Sequence, residues 1–80
     1  SDAHTTLHVD DITIAQGLDL VGMMIKPIEI DKQARDVVDK RKVTLEFSNL
    51  SLENTLAHLL FPHGLRYEVK RGRIVILKAG

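Results

Sequence analysis

Eighty residues suffice for one domain, near the lower size at which a chain closes a core unaided, and such a domain buries only about 60–65% of the surface its unfolded form exposes. Eleven basic residues balance eleven acidic ones, so bulk electrostatics draw the chain neither to nucleic acid nor to an anionic membrane. Cysteine is absent, which excludes disulfide staples and zinc–thiolate sites and leaves the compartment open.

In chain order, Ser1-Asp2-Ala3 opens without Met, and residues 1–4 are expected to be tail or cloning remnant, with 1–80 a single domain. Thr5–Asp10 alternates small or polar residues with Leu7 and Val9, as a short strand with one buried face does. Asp10-Asp11 reads as a polar turn into the first helix. Thr13 and Gln16 have capping-box spacing ahead of an apolar series. Ile14, Leu18, Val21 and Ile25 share one face, with Met24 beside it, and Gly17 and Gly22 suggest close packing of a neighbour. Pro27 ends this helix, and Pro27–Ile30 reads as a brief strand.

Asp31–Lys42 is a polar interlude with eight charged residues in twelve, read as a short exposed helix or ordered loop pinned by one valine. Val43, Leu45 and Phe47 then alternate with Thr44, Glu46 and Ser48, a half-buried strand. Ser51 is placed to cap a second long helix, and Glu53 sits where the helix dipole favours a negative charge. Leu52, Leu56, Leu59 and Leu60 form the apolar stripe of that helix, which Pro62 and Gly64 stop. Leu65–Lys70 and Arg73–Lys78 are two strands joined by a tight turn at Arg71-Gly72. The unbroken run Ile74–Leu77 implies a strand covered on both faces. The expected core is Leu18, Val21, Leu45, Phe47, Leu52, Leu56, Leu59, Ile74 and Ile76.

The halves match at an offset of 38: Leu7 falls on Leu45, Thr13 on Ser51, Ile14 on Leu52 and Leu18 on Leu56. A strand–helix–strand unit used twice, plus a terminal strand, makes an α+β domain. Each unit alone buries only one face of its helix, and two units packed together cover each other.

From Val43 to Leu77 the chain resembles the short N-terminal domain shared by secretins and TonB-dependent receptors. The pattern is a strand, an Asn or Ser turn, a Ser-Leu-Glu helix start, a Leu-rich helix, a Gly-Leu turn and a terminal hairpin. Val43, Leu45, Phe47, Asn49, Ser51, Leu52, Glu53, Leu56, Leu59, Leu60, Gly64, Leu65, Tyr67, Gly72, Ile74 and Val75 meet it. Residues 30–44 depart from it, being longer and more charged than the link usual there. The resemblance implies two helices held between a two-stranded and a three-stranded sheet. It also implies a non-catalytic module on the periplasmic side of the cell envelope, in a larger exported or outer-membrane protein serving secretion or signalling. Its partners would be proteins: neighbouring domains, an inner-membrane component or an anti-sigma regulator.

The residues themselves name no catalytic group, cofactor or metal ligand. His4 and His8, four residues apart on an extended strand, stand over ~10 Å apart and cannot share an ion. His58 and His63 straddle a helix end with no acidic or cysteine partner nearby in sequence, so they read as exposed polar residues. The aspartates lack calcium-loop spacing, and Ser51 lacks a nucleophile elbow. The basic clusters Lys40-Arg41-Lys42 and Lys70-Arg71-Gly72-Arg73 would suit phosphate if they met on one surface. A small nucleic-acid-binding domain is therefore the alternative, although stacking aromatics and a Gly-x-x-Gly loop are missing. Lys70, Arg71 and Arg73 are the expected partner-binding residues, at the rim of a docking sheet edge.

Overall fold

The computed structural model describes residues 7–47 and 51–80, Phe47 by its backbone alone. The expected tail, residues 1–4, and the side chain of Phe47 thus lie outside the described parts. Among the described residues, five strands and three α-helices follow the order β1 (Leu7–Thr13), α1 (Ile14–Met24), β2 (Ile28–Ile30), α2 (Arg35–Lys40), β3 (Lys42–Phe47), α3 (Leu52–Leu60), β4 (Leu65–Lys70) and β5 (Arg73–Lys78). Short 3-10 turns, Lys32–Ala34 and Phe61–His63, precede α2 and follow α3. One sheet pairs β1 with β3; the other has the order β2-β5-β4. Helices α1 and α3 touch strands of both sheets and each other. This is the expected α+β arrangement of two strand–helix–strand units and a final strand, with α2 added between them.

The two units are not separate halves. Their first strands, β1 and β3, pair antiparallel with each other, while their last strands, β2 and β4, flank β5. The repeat spacing survives in three dimensions, because Thr13 and Ser51 both cap helices. Leu18 and Leu56 are both buried in the shared core. In α1 the capping box is complete: the Gln16 amide donates to the Thr13 hydroxyl at 3.1 Å, and the Thr13 amide donates to Gln16 Oε1 at 2.8 Å.

Every described member of the expected core is buried except Leu52, which packs half-buried against it. Ile14, Leu60 and Leu65 belong there too. Ile25, expected on the apolar face of α1, is instead exposed, as is Met24 beside it. The helix ends at Met24, and Ile25 has the non-helical angles φ −131 and ψ −67, so its side chain leaves the apolar stripe.

The first strand extends past Asp10-Asp11 instead of turning there. Val9 faces Leu45 and Ile12 faces Val43, so one extra residue of β1 sits in a bulge. Asp11 takes a left-handed conformation at φ 55, which Asp tolerates better than most residues. The Thr44 hydroxyl donates to Asp10 Oδ1 at 3.0 Å across the strands. The charged interlude forms the short helix expected, pinned by one valine, and Ala34 just before it adds a second anchor. Ala34 and Val38 are both fully buried, α2 packs on α1 and β1, and the Ile14 amide donates to the Arg41 carbonyl at 3.0 Å.

Strand β5 is covered on both faces as expected, although among the described residues no second layer covers the outer one. Ile74 and Ile76 face the helices, while Val75 is 8% exposed on the other side. In register, Val75 lies between Glu29 and Glu68, whose aliphatic stems shield it while their carboxylates stay in water. The β4–β5 turn has Arg71 at φ 52 and Gly72 at φ 77, the paired left-handed residues of the tight turn that matches strand twist.

Gly17 is buried where α1 meets α3. A methyl placed on it would lie 3.5 Å from both terminal carbons of Leu59 and 3.6 Å from Ile12, ordinary contact distances. Close packing is present, yet glycine is not required for it. Gly17→Ala is expected to raise stability by about 0.5–1 kcal/mol, since alanine costs the helix less. A lower midpoint in urea melting would show that the helices have no room to accept the methyl.

Candidate functional site

The best-formed depression among the described residues runs along the free side of β3. It encloses about 390 Å³ and is lined by Lys42, Val43, Thr44, Leu45, Glu46, Thr55, His58, Leu59 and His63. Side chains on a strand alternate between faces, so five consecutive lining residues mean that the groove follows the backbone edge. β3 pairs with β1 on one side, and this groove lies along the other. Helix α3 supplies the opposite wall.

Each wall residue has a local reason for its place. The Ser51 hydroxyl accepts from the Asn54 amide at 3.2 Å, starting α3. The buried Thr55 hydroxyl donates to the Ser51 carbonyl at 3.0 Å, so it is committed to the helix and not presented as a nucleophile. Pro62 in the following 3-10 turn and Gly64 at φ 70 end the helix and swing His63 toward the start of β3. There Arg41 Nη1 lies 3.4 Å from His63 Nδ1. Burial, and secondarily the Arg41 charge, push the His63 pKa down from its ordinary value. Arginine can only donate, so in this contact Nδ1 accepts and the neutral ring carries its proton on Nε2.

In the sequence His58 and His63 read as exposed polar residues astride a helix end; His58 is exposed and His63 half-buried. The fold brings both to one groove with Lys42 by packing α3 against β3, which spacing along the chain does not report. His8, on β1, instead meets Asp10 at 3.0 Å and Glu46 at 3.5 Å. No trio of His, Cys, Asp or Glu is arranged for a metal among the described residues.

The basic clusters do not merge. Lys42 belongs to the β3 groove, whereas Lys70, Arg71 and Arg73 line another depression with Glu29 and Val75. In that second place the charges are largely matched: Arg73 donates to Glu29 at 2.8 Å, tying β5 to β2, and Lys70 lies 3.3 Å from Glu68. Hydrogen bonds from Arg66 and then Lys70 hold the Glu68 carboxyl below its ordinary range. Lys40 is paired with Asp36 at 2.8 Å. An unbroken positive surface of the kind phosphates attract is therefore not what these residues form.

The molecule is thus a small open-sheet α+β module whose most developed surface feature is a strand edge walled by a helix. The family described as "Secretin and TonB N terminus short domain" matches residues 33–79, from the turn before α2 to the end of β5. This is more than half of the chain, which belongs to that family. The matched span includes α2, the segment whose length and charge set it apart in the sequence. No curated protein and no solved structure matches the chain.

Proposed function

We propose that this domain is a non-catalytic docking module of the periplasmic side of the cell envelope. It would belong to a secretin, a TonB-dependent receptor or a related signalling protein, and would act by protein–protein contact with neighbouring domains, an inner-membrane component or an anti-sigma regulator. Family membership supports the envelope setting. The observation that carries the docking role is the pair of open sheets. β1, β3, β2 and β4 are all edge strands, and such edges are templates for a partner's backbone. Lys70, Arg71 and Arg73 stand at the hairpin end of the β4 edge, where rim charges steer association.

The test places a photo-crosslinking residue at Thr44, Glu29 or Arg71 of the full-length protein in its own cells, with exposed Gln16 on α1 as the control. Protein adducts from the edge positions and none from Gln16 are expected. Adducts to nucleic acid, or no adduct from any edge, would overturn the proposal. Once the partner is in hand, Arg71→Gln with Arg73→Gln should slow association several-fold and leave dissociation nearly unchanged. A loss confined to the dissociation rate would remove these arginines from the rim.

A further inference from the structure

We infer that the groove between β3 and α3 binds an extended segment of a partner protein as an added strand, and that this segment carries a carboxylate beside Arg41 and His63. The inference rests on the docking reading above and specifies its location and the chemistry of the partner. The groove has the form such a segment requires. Its first wall is a backbone edge exposed over Lys42–Glu46, long enough for about five paired residues. Its second wall offers exposed His58 and half-buried His63 to side chains on the inward face of an added strand, with Thr55 and Leu59 packed behind them. Leu45 and Leu59 are almost fully buried, so the floor is already packed and need not rearrange.

Charge selects the occupant. Arg41, Lys42 and His63 gather where β3 begins, His58 stands in the C-terminal half of α3, and Glu46 lies toward the far end of the strand. A strand with an acidic residue opposite the Arg41–His63 pair gains a charge-assisted hydrogen bond from the guanidinium. An acidic residue at the opposite end would meet Glu46.

The groups facing His63 are Arg41 from the α2–β3 junction, Lys42 on β3 and His58 on α3, all basic. With the groove empty, burial first and the Arg41 charge second favour the neutral ring. A carboxylate placed among them favours the imidazolium, so binding takes up a proton. Affinity for an acidic segment should therefore rise as pH falls through the ordinary histidine range of about 6.5.

The experiment selects a displayed library of random hexapeptides on the intact chain at about pH 6, then studies a selected peptide and its Asn or Gln analogue by amide-shift titration. The expected result is enrichment of Asp or Glu at one position, with shifts on Lys42–Glu46, Thr55, His58, Leu59 and His63. The analogue should bind about tenfold more weakly. Arg41→Gln should cost the acidic peptide a similar factor. His63→Gln should flatten the pH dependence between about 5.5 and 7.5, with both variants melting like the parent. Peptides without acidic enrichment, shifts on β2 or β4 instead, failure to select any peptide, or concentration-dependent self-pairing at β3 would each overturn the assignment. Cross-links from the other edges would in those cases leave the docking reading intact while this site fell.

Discussion

Leu56→Ala is expected to remove a large part of the domain's stability at room temperature. Leu56 is 1% exposed in the one core that both helices and both sheets share. Removing such a side chain costs about 2–5 kcal/mol, through lost transfer energy and the cavity left behind. A chain of this length has roughly 4–12 kcal/mol of total stability, so one substitution consumes much of it. Far-ultraviolet circular dichroism through a urea titration measures the effect. A midpoint equal to the parent's would remove Leu56 from the core and, with it, the packing of α3 between the sheets.

Val38→Asp should be at least as damaging, and it tests the segment that least resembles a core element. Val38 is fully buried although it lies in α2 among Arg35, Asp36, Asp39 and Lys40. A carboxylate there must either lose its hydration without a partner or force α2 off α1 and β1, and an unpaired buried charge costs several kcal/mol. The surrounding ion pairs contribute little by comparison, being exposed. Arg35 donates to Asp39 and holds its carboxyl below the ordinary range. That contribution is therefore present above the ordinary aspartate range and is lost as pH falls through the lowered value. Lys40→Ala serves as the control and should change the melting temperature by a degree or two at most. If Val38→Asp melts cooperatively near the parent temperature, α2 is an appendage and not part of the fold.

What could be read from the sequence was what depends on near neighbours. Thr13 with Gln16 and Ser51 with its following leucines announce helix starts, because capping is settled within four residues. The Arg71-Gly72 turn is equally local. The bulge at Asp10-Asp11 was misread because two adjacent aspartates look the same in a turn as in a bulge; only the partner strand, through Thr44 and Val43, tells them apart. One valine anchor of α2 was legible amid the charge, but not which valine, nor that Ala34 in the preceding turn is buried with Val38. The convergence of His63 on Arg41 spans 22 residues, and no periodicity reports it. Family resemblance supplied the sheet pairing that hydrophobic spacing alone left open.

The placement of β5 has a consequence for the order in which the chain can acquire its structure. β5 is last among the strands yet central in its sheet, parallel to β2 and antiparallel to β4. As the chain emerges from a ribosome or a translocation pore, β2 finds no partner until Ile74–Ile76 arrive, more than forty residues later. Such a long-range closure slows folding and delays it until the end of the segment has been delivered. Until then α1 and α3 lack one of their two covers, so the chain stays threadable. A polypeptide cut before Arg73 should remain unfolded, with β2 and β4 each deprived of the strand that joins them.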